Sequence, residues 1–283
     1  MKFTKMHSIG NDYIIINTLE EGLDFEGGRL AELLCARHFG VGADGLLLIQ
    51  SSEVAEFKVS IWNADGSQAE VCGNGLMCFA KYAYEKHFTN MNSVTVETLD
   101  GIKKIDYTVK DNKVRFATVN LGIPIIRSNG MELPLTAAVK NYAREDLIES
   151  LTINEKKIKL IFLNIGVPHA VIFTNDINAV PVEKLGPVLE KHMRFPEKTN
   201  VEFVQVIDRE HIIAKSWSRG VGAVMSNGTG AAAAATASYI MDYTDTALDV
   251  KLSGGTLQVE IAEDNRIAIS GPATVVYTGE INM

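Results

Sequence analysis

The sequence predicts a mixed α/β protein of two similar domains, and three observations carry that expectation. Cys72-Gly73-Asn74-Gly75 returns as Asn227-Gly228-Thr229-Gly230, each opening a helix-like run, Leu76 to His87 and Ala231 to Met241. Trp62 and Trp217 each stand ten residues ahead of these turns, at the ends of alternating strand-like runs over 57–62 and 211–217. The flanks repeat as well: Ile9-Gly10 before 14–16 answers Ile165-Gly166 before 170–173, and 94–101 answers 249–255. A unit repeated at half the chain length predicts two domains related by a pseudo-twofold axis, with the paired helix starts on either side of one cleft. The expected domains are 1–119, rejoined by a last strand over 272–283, and 120–271.

Taken in order, residues 3–17 read as strand, loop, strand, with Asn11 and Asp12 in the polar interruption. Those two are read either as Asx-type bonders to the backbone or as substrate contacts. The spacing of Leu30, Leu33 and Leu34 predicts a short helix over 29–39 and makes Cys35 a packed thiol. Gly40-Val41-Gly42-Ala43-Asp44-Gly45 spells a dinucleotide fingerprint in the wrong setting, because a helix precedes it and a strand follows. After the Cys72 turn comes a largely buried helix holding Cys78, then three strands over 94–120. The second half is expected to begin with a helix over 135–150 and a strand over 158–163, followed by Pro168-His169, a helix over 182–192 and a strand from Asn200 to Ile207. The alanines at 231–235 suit a helix packed at close range, as an inner helix wrapped by strands requires.

Composition narrows the class. The chain has 283 residues, 46% apolar and 22% charged, which suffices for two buried cores in an ordinary globular protein. A net charge of −8 disfavours nucleic acid and anionic membranes, both of which reward basic faces. Three cysteines, at 35, 72 and 78, make no disulfide framework and point to a reducing compartment. No signal-like or membrane-spanning run is visible, so a cytoplasmic protein is expected.

The chemistry gathers at the two turns. A helix start presents unpaired N–H groups at the positive end of the helix dipole, where a carboxylate settles. The same field favours thiolate over thiol, so Cys72 is expected as a ready base or nucleophile. His169 is read either as a satisfied structural residue or as a proton carrier near the same cleft. Arg219 is read as a surface ion pair or as a bidentate carboxylate clamp. Two helix starts gripping one carboxylate would flank the adjoining Cα, and no cofactor or metal motif is visible to stabilise a carbanion there.

Residues 6–12, 40–45, 63–66 and 72–75, Pro168-His169, 200–202, 219–222, 228–230 and 271–273 resemble, in order and spacing, the diaminopimelate epimerase family. That resemblance implies two pseudo-symmetric domains, each a mostly antiparallel sheet wrapped around a central helix, and racemisation by two cysteines without pyridoxal phosphate. It also implies a homodimer, and a site lined by Cys72, Asn11, Asn63, Gly73, Asn74, His169, Asn200, Arg219, Gly228 and Thr229. The family's second catalytic cysteine falls on Asn227, and its glutamate before the arginine falls on Ser218. Its asparagine before the proline falls on Val167, and its next glutamate-threonine pair on Ala223-Val224. Asparagine neither removes nor delivers a proton at neutral pH, and the other changes remove polar contacts to the far end of diaminopimelate. The leading expectation is therefore an amino-acid racemase or epimerase using Cys72, with an altered substrate. Its alternatives are a diaminopimelate epimerase of lysine biosynthesis and a catalytically silent amino-acid-binding paralog.

Overall fold

The structure, a computed structural model, describes residues 1–21, 26–128, 130–153 and 155–282. Residues Met1–Asn120 and the C-terminal segment from Ser270 form one compact unit, and Leu121–Ile269 another. Among the described residues no helix is long and apolar enough to cross a membrane.

In the first unit, β1 (Lys2–Ser8) and β2 (Asn11–Asn17) form an antiparallel hairpin. The short α1 (Thr18–Glu21) and then α2 (Gly27–Cys35) cross over to β3 (Gly45–Gln50), which runs parallel to β2. Strand β4 (Phe57–Asn63) returns antiparallel to β3 and makes a small hairpin with β5 (Gln68–Ala69). Helix α3 (Gly73–Glu85) then crosses over to β6 (Ser93–Thr98), parallel to β4, and β7 (Gly101–Lys110) and β8 (Lys113–Gly122) complete a meander.

The second unit opens with the β9 (Ile125–Ser128) and β10 (Met131–Pro134) hairpin and α4 (Leu135–Asn141). Strands β11 (Glu149–Ile153), β12 (Lys156–Asn164) and β13 (Pro168–Phe173) follow in antiparallel succession. From β12 onward the first unit's plan returns. Helix α5 (Val182–Glu190) crosses to β14 (Asn200–Val206), parallel to β13; β15 (His211–Ser218) is antiparallel to β14, with β16 (Gly222–Val224) as its small hairpin. Helix α6 (Gly228–Ile240) crosses to β17 (Ala247–Leu252), parallel to β15, which pairs antiparallel with β18 (Gly255–Ile261). Strand β19 (Ile267–Gly271) precedes β20 (Thr274–Glu280), and β20 lies antiparallel to β1 in the first unit. The two helical crossovers of each unit join parallel strands, as the length of a parallel connection demands.

Each unit is built on its second crossover helix. Every residue of α6 except Tyr239 is buried, and the helix packs against β12, β13, β14, β15, β17 and β18. Surrounded on all sides, it has no polar face, which is why small residues fill it from Gly228 to Ala235. Its two late hydroxyls are satisfied by back-bonding, Thr236 to the Ala232 carbonyl at 2.7 Å and Ser238 to that of Ala234 at 2.8 Å. In α3 the residues from Gly73 to Ala83 are likewise buried.

The repeated tryptophans also find their reason. A Cβ on Gly27 would come within 2.4 Å of the Trp62 indole, and one on Gly186 within 2.4 Å of that of Trp217. Each tryptophan stands one residue before the end of its strand and meets a glycine of the preceding crossover helix, so helix and sheet approach where a side chain would hold them apart.

Three expectations are corrected. The helix expected over 135–150 stops at Asn141; a single 3-10 turn (Arg144–Leu147) follows, and Glu149 already pairs with Leu160. The strand partner offered by β12 outweighs the local helical preference of 144–150. The helix expected over 29–39 runs instead from Gly27 to Cys35, because Ala36 turns extended and Gly40 lies against the Leu33 and Leu34 carbonyls. Asn11 and Asp12 lie in β2, while the turn itself is Ile9-Gly10, with φ of 41° and 90°.

Gly186→Ala is expected to destabilise the protein by about 2 kcal/mol, the usual cost of overpacking a rigid contact. Thermal denaturation measures it, and an unchanged midpoint would show that the Trp217 ring yields freely.

Candidate active site

Cys72 and Asn227 occupy the same place in the two repeats, each as the N-cap of its central helix. Their backbones are nearly superimposable, with φ −143° and ψ 110° at Cys72 and φ −140° and ψ 109° at Asn227. The side chains do different things with that geometry. Asn227 Oδ1 accepts from the Gly230 amide and from the Thr229 hydroxyl, both at 3.0 Å, and so caps its own helix. Cys72 makes no cap bond, and its sulfur lies 2.7 Å from the Tyr13 hydroxyl.

Around Cys72 the first unit assembles a polar chain. Tyr13 Oη is 2.6 Å from Asn11 Oδ1, which also accepts from Asn74 Nδ2 at 3.2 Å. Asn11 Nδ2 donates to Asp44 Oδ2 at 2.9 Å, and Arg37 bridges Asp44 Oδ1 at 2.8 Å and Asp12 Oδ1 at 2.9 Å. Asp12 is further paired with buried Lys5 at 2.6 Å. Burial works to raise the Asp12 pKa, but the bonds and charges of Lys5 and Arg37 overcome it and hold the carboxyl below the usual range. This ion cluster ties the loop before β3 to β2 and so fixes Asn11.

The expected thiolate is not what this setting favours. Burial pushes the Cys72 thiol up, and the Tyr13 hydroxyl and the Gly75 and Asn74 amides offset that only in part. The dipole at the helix start is present, and desolvation exceeds it. Cys35 and Cys78 are pushed up more simply, by burial, the former to about 12.

In the second unit the centre is His169. Imidazole and Glu202 are both fully buried, with Nδ1 3.1 Å from Glu202 Oε1. Ser216 donates to the other carboxylate oxygen, and Glu202 lies against the first turn of α6, where a Cβ on Gly230 would meet it at 2.4 Å. A carboxylate receiving the serine hydroxyl at one oxygen takes the imidazole N–H at the other, which makes Nδ1 the donor. Among the described residues, His169 Nε2 is buried and finds no hydrogen-bond partner.

The remaining residues divide by what they hold. Asn200 Oδ1 accepts from the Arg219 amide and its Nδ2 donates to the Pro168 carbonyl, both at 2.9 Å, so it staples the Arg219 turn to the His169 strand. Buried Glu190 supports the same turn from Trp217 Nε1 at 2.7 Å and the Gly220 amide at 3.2 Å. The Arg219 guanidinium donates from Nη1 to the Glu197 carbonyl at 3.0 Å. Asn63 closes the β4–β5 hairpin through Ser67 at 2.9 Å, and Ser218 pairs with Gly222 at the end of β15. Gly73, Gly228 and Thr229 are buried in the two helix starts. Tyr13, Asp44, Glu202 and Ser216 were not anticipated as a group. For Tyr13 and Glu202 the signal is an opposed glycine: a Cβ on Gly45 would come within 3.1 Å of the Tyr13 ring, and one on Gly230 within 2.4 Å of Glu202.

The sequence model of the diaminopimelate epimerase family matches residues 3–125 and 161–283. The diaminopimelate epimerase of Caldanaerobacter subterraneus is 42% identical over 283 residues, and that of Methanococcus maripaludis 40% over 284, in both cases across the whole of each chain. Among solved structures, a probable proline racemase from Agrobacterium radiobacter has a TM-score of 0.76 at 16% identity, covering 100% of this chain and 93% of its own. A phenazine biosynthesis protein of the PhzF family from Bacillus anthracis has a TM-score of 0.73 at 17% identity, covering 100% and 99%. These two share the fold.

Asn227→Ala is expected to cost about 1 kcal/mol of stability through loss of the cap, and Asn227→Ser almost nothing; urea denaturation distinguishes them. Iodoacetamide at pH 8 is expected to modify Cys72 alone in the native protein, leaving Cys35 and Cys78 until unfolding. Peptide mass mapping reads the order, and early labelling of Cys78 would contradict it.

Proposed function

Because the chain belongs to the diaminopimelate epimerase family, we propose that it moves a proton at the Cα of an amino acid, with Cys72 as one acid/base and His169 as the other. The chain is an isomerase of the epimerase and racemase class, working without pyridoxal phosphate. Inversion requires one group that removes the Cα proton and a second that returns one. The observation that carries the proposal is the buried, unpartnered Nε2 of His169, on a ring whose Nδ1 is held by Glu202, in the unit whose helix start bears no thiol.

The two groups offer complementary chemistry. With Nδ1–H donated to Glu202, Nε2 is the nitrogen of His169 left to take a proton from carbon. Cys72, held protonated by burial, is an acid as it stands. In one direction His169 takes the proton and Cys72 gives one; in the other the roles exchange. Amides at the α3 start and the polar chain through Asn11 suit the substrate's carboxylate and ammonium.

The substrate is proposed to differ from diaminopimelate, because Ser218 and Val167 stand where the family resemblance expects polar contacts to the distal end. A second reading, diaminopimelate itself, is favoured by identities of 40–42% over the full length to relatives of that name.

Single enantiomers of a panel of amino acids, diaminopimelate included, incubated in heavy water and followed by proton NMR, decide between them. Exchange at Cα with inversion is expected for one member, falling at least about 10²-fold in Cys72→Ala and in His169→Gln. Exchange with retention, unaffected by His169→Gln, would remove His169 from the reaction. Binding without exchange would leave an amino-acid-binding protein and no enzyme.

A further inference from the structure

The hydroxyl of Tyr13 stands between two acceptors. It is 2.7 Å from Cys72 Sγ and 2.6 Å from Asn11 Oδ1, while those two atoms lie 4.0 Å from each other. Tyr13 is 5% exposed, and its ring is seated against Gly45 and Gly75, whose would-be Cβ atoms approach it to 3.1 Å and 3.6 Å. A phenol has one proton, so it donates to one neighbour at a time.

We infer that Tyr13 is a positioning residue that couples the protonation of Cys72 to the acceptor capacity of Asn11. With Cys72 as a thiol, S–H donates to the phenol oxygen and the phenol donates to Asn11 Oδ1. That oxygen already accepts from Asn74 Nδ2 at 3.2 Å, so both of its lone pairs are used. With Cys72 as a thiolate, the phenol proton turns to sulfur and one lone pair of Asn11 Oδ1 is released. The thiol proton leaves to solvent, and the phenol keeps its own throughout, changing only the direction in which it points. When the thiolate takes a proton from carbon, S–H forms, its donation to the phenol oxygen resumes and the phenol turns back to Asn11.

The coupling runs in both directions. An N–H donor arriving at Asn11 Oδ1, such as the ammonium of an amino acid, competes for the lone pair that Tyr13 uses in the thiol state. It thereby sends the phenol proton to sulfur and stabilises the thiolate, the form in which half-buried Cys72 is the base in the direction where His169 returns the proton. Tyr13 suits the task because it does not ionise itself: burial, and next the adjacent Cys72, push its pKa well above that of an ordinary tyrosine. Asn11 is held for it by Asp44, which engages the amide nitrogen at 2.9 Å and leaves the oxygen pointing to the phenol. This inference rests on the reading of Cys72 as a proton carrier.

The test needs no substrate. The rate of Cys72 carboxamidomethylation by iodoacetamide, followed by peptide mass analysis across pH 6 to 11, gives the midpoint of thiolate formation in the native chain. Tyr13→Phe keeps the ring against Gly45 and Gly75 and is expected to move that midpoint upward by about one pH unit, slowing alkylation near pH 8 several-fold. An unchanged midpoint in a variant that melts like the parent overturns the inference. A second measurement uses the parent protein alone: with tyrosine labelled by carbon-13 at Cζ, the Tyr13 resonance is expected to shift with the midpoint of Cys72 alkylation as its hydroxyl changes partner. A resonance that stays flat through that midpoint overturns the inference equally. Both readouts are separate from Cα exchange in heavy water, so the switch can fail while Cys72 remains an acid/base, and the reverse.

Discussion

A buried helix start has to find acceptors for its first amides, and each unit is organised around how that need is met. Both central helices begin inside a curled sheet, where water is not at hand to accept the amides of the first turn. The chain enters each helix through the same extended backbone, at Cys72 and at Asn227. At Asn227 the carboxamide answers the need itself. At Cys72 the sulfur makes no cap bond and pairs instead with the Tyr13 hydroxyl. One repeat has thus settled its helix start for stability, and the other keeps a titratable group there.

Glycine decides what can come close to these starts. Gly27 and Gly186 let the crossover helices settle on Trp62 and Trp217, and Gly45 and Gly230 admit Tyr13 and Glu202 beside the two N-caps. None of these four contacts depends on a left-handed backbone; each depends on the missing Cβ. The polar side chains so admitted are then fixed by a further layer: Asn11 by Asp44, His169 by Glu202, and the Arg219 turn by Asn200 and Glu190.

Much of this could be read from the chain. The doubled turn, the doubled tryptophan and the alanine run marked the repeat and its central helices, because periodicity and small-residue composition are local properties. The family was legible in motif order, and the fold it implied is the one found. The helix expected over 135–150 failed for the opposite reason, since the strand from Glu149 exists only because β12 offers it a partner.

Residue identity alone determined that one repeat carries a thiol at its helix start and the other a carboxamide, and with it that any second proton carrier is not a cysteine at position 227. What tertiary structure decided is the state those groups are held in. Residues 13 and 72, or 169 and 202, are far apart in sequence, and only folding brings them within hydrogen-bonding distance. Burial, which no local pattern measures, reversed the expected ionisation of Cys72, because removing a charge from water outweighs the field of a single helix start.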